Sequence, residues 1–370
     1  MGQGMAIQPT YPGVYTGEIA AFHTIADAPT SELAIIGPTA NGPIGIARRV
    51  ENLTDFEALY GCGAETTDTV RAGRQFFLQG GSVAHVVRIE ADGYAAGLAA
   101  LGDFNLLILP DAPHMPDGGL MLYAEAAALC ANRLAFLLVD HPLAANSVEA
   151  IATWDIGGAL GPQLRRSAAL CFPRLIDADG GDLPASGSIA GLIARTDAER
   201  GVWKAAAGSE ARLWDVRPGI EVTARQQEPL NPQGVNVIRT FPNKGTVNWG
   251  ARTLASTDAE WKYIPVRRTA LFIERSLRDG LQWTASEPND EALWAKVRSS
   301  AESFLNDLYR RGAFEGSRPQ DAYYVRCDAR TTGVAERAQG LVKLMIGFAP
   351  VKSAEFLSIS LLLKTAHAHV

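Results

Sequence analysis

Over the first half of the chain, apolar residues fall into runs of four to eight that are separated by stretches of helical periodicity. LAIIGPT (33–39), VAHVVRI (83–89), FNLLILP (104–110) and LAFLLVD (134–140) read as buried strands. The pattern predicts helices over 53–60 and 66–79, and further ones around 121–132 and 147–153. Buried strands alternating with helices predict α/β layering with some parallel strands. AALCFPRLI (168–176) reads as one more strand. Between about 177 and 245 the chain is dense in Gly, Pro, Asp and Asn, a composition that predicts loops and short strands crossing between domains.

A second folded unit is predicted from two helices, 266–280 and 290–311. The latter sets Leu293, Trp294, Val297, Ala301, Phe304, Leu305 and Leu308 on one stripe, with Asn289 as N-cap and Gly312 just past its end. That stripe requires a sheet, for which 322–328, 341–348 and the final EFLSISLLLK supply strands. In the final stretch Leu357, Ile359, Leu361 and Leu363 share one face and Ser358, Ser360 and Lys364 the other. A patterned strand at a chain end needs a partner sheet, in this molecule or in another. At the other end the first twenty or so residues, rich in Gly, Pro and Tyr, read as an extended arm with one short strand-like piece, VYTGEI (14–19).

Composition narrows the function. The chain has 370 residues, of which 47% are apolar, enough for a large core and two or three domains. A net charge of −6 argues against nucleic acid as a main ligand. The four cysteines lie far apart with no CxxC pair, so neither a metal site nor a disulfide framework is expected. No apolar run approaches the roughly 20 residues that span a bilayer. The opening residues lack a signal-peptide pattern and Ala6 stands where a myristoylation signal needs Ser or Thr, so a reducing cytoplasm is the expected compartment.

Local chemistry is sparse. Glu287, Asp290 and Glu291 bunch where the strong helix begins, and their structural role is to stabilise its N-terminus. DADGGD (177–182) lacks the twelfth-position Glu of a calcium loop, Ser188 standing there instead, and reads as a Gly/Asp turn. GSIAG (187–191) places Ser one residue too early for a nucleophile elbow. GPTANGPIG (37–45) has the wrong spacing for a phosphate loop. His85 and His141 read as core or rim histidines, His367 and His369 as idle, and the pairs Arg48/Arg49, Arg165/Arg166, Arg267/Arg268 and Arg310/Arg311 as solvated faces or subunit rims. No catalytic residue, metal site or cofactor is expected.

Longer stretches carry a resemblance. YPGVYTGEI, PTSELAIIGPTANGPIGIARRVENLTDFEALYG and QFFLQGGSVAHVVRIE resemble the start of a contractile tail sheath protein. IARTDAERGVWKAAAG, LNPQGVNVIRTF, VNWGARTL, EWKYIPVRR, GLQWTASEPNDEALWAKVR, AYYVRCD and GFAPVKSAEF are similar to that family in the same order, over nearly the whole chain.

The resemblance implies a structural subunit of a phage tail, R-type tailocin or extracellular contractile injection system, and no enzyme. The fold it implies is α/β, α+β overall. An extended N-terminal arm spans 1–22, an outer α/β domain with a trailing linker 23–235, an inner C-terminal domain 236–352 and a strand arm 353–370. It implies inter-subunit strand exchange through Val14, Tyr15, Thr16, Glu18 and Ile19 at one end, and through Phe356, Leu357, Ile359, Leu361 and Leu363 at the other. By the same analogy Arg330, Glu336, Arg337 and Lys343 offer charge to a tube. The implied partners are further copies in stacked hexameric rings, a tail tube protein, and baseplate and tail-terminator proteins, with no nucleic acid and no membrane insertion. Assembly is expected in the bacterial cytoplasm, in a phage tail or a particle like one. A soluble α/β enzyme without a local signature, or a non-contractile tube or shell protein, are the alternatives.

Overall fold

The computed structural model describes residues 23–61, 67–90, 92–351 and 357–365. The first unit is built from β1 (Leu33–Gly37), β2 (Arg48–Val50), α1 (Leu53–Tyr60), α2 (Asp68–Leu78), β3 (Ala84–Arg88), α3 (Tyr94–Ala100), β4 (Leu106–Ile108) and α4 (Leu120–Asn132). It continues through β5 (Phe136–Asp140), α5 (Val148–Thr153), α6 (Ile156–Leu164), β6 (Ala168–Phe172), β7 (Leu175–Asp177), β8 (Asp182–Leu183), α7 (Ala185–Arg200), β9 (Val216–Pro218), α8 (Ala224–Gln227), β10 (Val235–Phe241) and β11 (Gly245–Asn248). Eight of these strands form one sheet in the order β11-β10-β6-β5-β4-β1-β3-β2. The six inner strands run parallel, and β2 and β11 close the edges antiparallel.

The strands are apolar on both faces because both faces are covered. On one side Leu33, Ile35, Leu106, Ile108, Phe136 and Leu138 pack with residues of α1, α2 and α7. On the other, Ala34, Ile36, Leu107, Leu137, Val139 and Leu170 pack with α3, α4, α5 and α6.

The remaining described elements form the second unit: α9 (Ile264–Gly280), α10 (Glu291–Arg310), α11 (Pro319–Ala322), β12 (Tyr323–Arg326), α12 (Val334–Ala338), β13 (Leu341–Phe348) and β14 (Leu357–Lys364). The expected stripe of α10 is buried from Leu293 through Leu308 and covers the sheet β12-β13-β14. Helix α9 serves both units. Ile264 and Leu271 join the core beneath the large sheet, while Val266, Ala270, Ile273 and Leu277 join the core of the small one.

Four expectations change. The segment read as loops contains α7, sixteen residues long and buried on nearly every face. A helix without a polar face shows no amphipathic period. Its small residues serve close packing against α2: a Cβ at Gly187 would lie 2.2 Å from the Ala72 carbonyl oxygen, and one at Gly191 2.3 Å from that of Phe76. GSIAG is thus the first half of this helix. The large sheet also extends past residue 235, taking in β10 and β11. The single strand expected over 168–176 breaks at Pro173, and β7 joins a small separate sheet with β8 and β9. Finally, the cap of α10 is Asp290, whose carboxylate accepts from Leu293 N–H at 2.8 Å. Asn289 instead accepts from Trp294 Nε1 and donates to the Leu341 carbonyl.

Candidate assembly surface

Alternation builds the small sheet. Val342, Leu344, Ile346 and Phe348 of β13, with Ile359, Leu361 and Leu363 of β14, are buried toward α10. Lys343, Met345, Ser360 and Leu362 face outward, and Leu362 is 60% exposed. The β13–β14 register pairs Leu344 with Leu361 and Ile346 with Ile359. The terminal strand, which the resemblance assigns to the sheet of a neighbouring subunit, lies in this single chain on its own β13. Val14, Tyr15, Thr16, Glu18, Ile19 and Phe356 fall outside the described residues, so the N-terminal arm carries no geometry.

The ladder also fixes which backbone groups of β14 bond to β13 and which turn away from it. Thr365 N–H donates to the Gly340 carbonyl at 2.8 Å, which puts the inward bonds of β14 at residues 359, 361 and 363. The N–H and C=O groups of Ser358, Ser360, Leu362 and Lys364 consequently point away from β13, to an edge on which no other strand lies among the described residues. At its far end Thr284 Oγ1 donates to the Lys364 carbonyl at 2.9 Å. The opposite edge, β12, is shorter, and beyond it Arg298 donates to the Cys327 carbonyl. A long edge strand is a template for another strand.

On the outer face, α12 and the two last strands enclose a groove of about 360 Å³ lined by Glu336, Gln339, Leu341, Lys343 and Leu362. Of the four charged residues expected near a tube, Glu336 and Lys343 meet in this groove. The Arg337 guanidinium sits 5.4 Å over the Trp294 ring and Arg330 lies on an exposed turn.

Two family models match the chain in sequence order: the phage tail sheath protein central domain over 88–254 and the phage tail sheath C-terminal domain over 256–362. The chain belongs to the phage tail sheath family. A putative prophage major tail sheath protein of Pseudomonas aeruginosa is 28% identical over 46% of the chain and 44% of that protein. The chain spans about half or less of the length of the curated relatives it matches. Solved structures match most of its length. A chain of the anti-feeding prophage baseplate is 29% identical, covering 95% of this chain and 98% of that one, with a TM-score of 0.76. The contracted sheath complex of the PVC extracellular contractile injection system is 27% identical, covering 95% and 96%, with a TM-score of 0.77.

In this sheath chain the sequence reading misses how the units are joined. Arg267 and Arg268, read as a solvated face or a subunit rim, are both buried at the seam within the chain. Arg268 donates to Asp197 Oδ1 and Oδ2 at 2.9 and 2.6 Å and to the Thr30 carbonyl at 2.8 Å. Arg267 donates to Ser167 Oγ at 3.0 Å, and burial lowers its pKa to about 10. Each partner is tens of residues away, so no local pattern marks these pairs.

The carboxyl ends of the parallel strands, where open α/β sheets place their ligands, are filled by the chain itself. Asp111 accepts from Thr69 N–H at 2.8 Å and from its hydroxyl, and Asp140 accepts from Ser186 N–H at 2.9 Å. The N-termini of α2 and α7 are thereby satisfied internally. Arg174 bridges Asp68 and Asp182. Burial raises the Asp140 pKa to about 6 and lowers that of His141 to about 4, and it raises that of Asp111. His85 pairs with Glu32 at 2.9 Å. Among the described residues no group of three His, Cys, Asp or Glu side chains is arranged to hold a metal ion. The Asp177–Asp182 turn is closed by Asp177 accepting from Asp179 and Gly181 N–H.

Proposed function

We propose that this chain is the subunit of a contractile sheath, which polymerises around a tail tube and contracts to drive the tube through a target envelope. The observation that carries the reading is β14 at the edge of a small sheet, with no further strand on its outer side among the described residues, joined to β13 through residues 349–356. The pairing β14 makes on its own sheet is the one a neighbour's β14 would make if the strand were exchanged. Phe356, Leu357, Ile359, Leu361 and Leu363 would then link one subunit to the next, and the Val14–Ile19 arm another. Each ladder hydrogen bond contributes a net of about 0.5–1.5 kcal/mol. Each buried aliphatic side chain adds roughly 1.5–3 kcal/mol. Ordering the strand costs about 1–2 kcal/mol per residue. One joint is modest, and repetition on every subunit makes the lattice durable.

In this reading the eight-stranded unit is the outer domain, running to about residue 254. The inner domain combines the segment 23–30 with α9 through β14. Glu336 and Lys343, with Arg330 and Arg337 nearby, supply a polar, releasable tube contact. The remaining partners are baseplate and terminator proteins, and the copies stack as hexameric rings.

Negative-stain microscopy of the purified protein tests the assembly. Hollow striated tubes are expected, and monomers persisting at high concentration would sink the reading. A chain lacking residues 355–370 is expected to fail to polymerise, and since Ile359, Leu361 and Leu363 belong to the core of the small unit its folding is checked by circular dichroism alongside; intact tubes from it would refute strand exchange.

A further inference from the structure

The two ends of the described chain converge on adjacent residues of one turn. After α9 comes a single 3-10 turn, Gln282–Ser286. The indole of Trp283 stacks on the imidazole of His23, with ring centroids 4.2 Å apart and planes 18° from parallel. The next residue, Thr284, is buried, and its hydroxyl lies 2.9 Å from both the Leu281 and the Lys364 carbonyl oxygens. His23 is the first described residue after the N-terminal arm, and Lys364 closes β14.

Beyond His23 the chain stays clipped to the same helices. Ile25 is buried against Gly280, where an added Cβ would lie 2.9 Å from its side chain. Asp27 accepts from Arg311 Nη1 at 2.7 Å. Ala28 N–H donates to Ser276 Oγ at 3.0 Å, and the Thr30 carbonyl accepts from Arg268. Only at Glu32 does the backbone bond to the large unit, through Asn105. Residues 23–30 therefore belong mechanically to α9, α10 and the turn, about 250 positions away in sequence.

We propose that the 282–286 turn is a common anchor for both terminal segments. Tension entering at one end of the chain leaves at the other through this turn and α9, without crossing the eight-stranded sheet. The purpose of such a device rests on the strand-exchange reading above: the small unit would carry the mesh while the large unit is left free of load. The anchor itself is a property of the single chain. Bonds in series carry the same force, so loosening His23 or Asp27 must be felt at β14, although they contact Trp283 and Arg311 rather than that strand.

Hydrogen–deuterium exchange on the full-length subunit tests this. His23 and Asp27 are exposed, so H23A/D27A does not threaten folding. The expected result is a threefold to tenfold faster exchange of the Ile359, Leu361 and Leu363 amides, with the amides of β1, β4 and β5 unchanged. In the reverse direction, Thr284→Val is expected to speed exchange at residues 25, 27 and 28. Unchanged β14 protection in the double variant would overturn the proposal. So would an equal acceleration in every sheet, which signals global loss of stability rather than a shared anchor. The tube-forming test of the 355–370 truncation is independent: tubes from that truncation would remove strand exchange and leave the anchor standing, whereas unaltered β14 exchange would do the opposite.

Discussion

Replacing Arg268 by methionine leaves the Asp197 carboxylate buried with its two charged hydrogen bonds gone. Both side chains are about 5% exposed or less, so water does not take over the partnership. Breaking such a pair from one side costs about 3–5 kcal/mol, most of it the penalty of the stranded charge. Removing both partners, as R268M/D197L, replaces the pair with apolar volume and recovers most of that loss. The Thr30 carbonyl still loses its donor, so a residual cost of about 1–3 kcal/mol is expected. Urea unfolding followed by tryptophan fluorescence measures both variants, with the midpoint shift read at constant slope. A single-variant cost below about 1 kcal/mol, the level of a solvated surface pair, would refute the argument that α9 clamps the two units through a dry seam.

Further outcomes follow from other contacts. Ala at Gly187 or Gly191 would favour the helix intrinsically, yet the clash with α2 is expected to cost about 1–3 kcal/mol or more, read by thermal melting. Asp290→Ala removes the α10 cap and is expected to cost about 0.5–2 kcal/mol in the same assay. Asp140, raised to about 6, binds protons in the folded state more readily than unfolded, so its contribution falls as pH rises from about 4 to 6. His141, lowered to about 4, acts oppositely, adding stability as pH rises from about 4 to 6.5. Asp140→Asn therefore unmasks the histidine: urea midpoints of the variant should climb more steeply across pH 4–6 than those of the parent, and identical slopes would contradict the assignment. In the sheath reading, Glu336→Lys with Lys343→Glu should leave tube-free polymers intact; co-sedimentation with tube protein should weaken if the groove meets a fixed charge pattern.

Much of the fold was legible because its elements announce themselves locally. The buried runs at 33–39 and 134–140 could only be strands covered on both sides, and the α10 stripe demanded the sheet that β12, β13 and β14 supply. Helix α7 was illegible for the opposite reason, since its Gly, Ala and Ser residues are chosen for contact with α2 rather than for a solvent-facing period. The terminal strand β14 was legible as a strand and not as to its partner, because alternation specifies a face and says nothing of which strand lies on the edge.

The sequence by itself determined the order and type of most elements, the apolar faces, and through its spaced motifs the sheath family. Only the tertiary structure decided that Arg268 reaches Asp197, that Asp111 and Asp140 close the strand ends, and that His23 and Lys364 meet at Trp283 and Thr284. Periodicity arises from neighbours three or four residues apart and is written along the chain. Pairings across forty or more residues depend on how packed layers bring distant side chains together, and no local pattern encodes them.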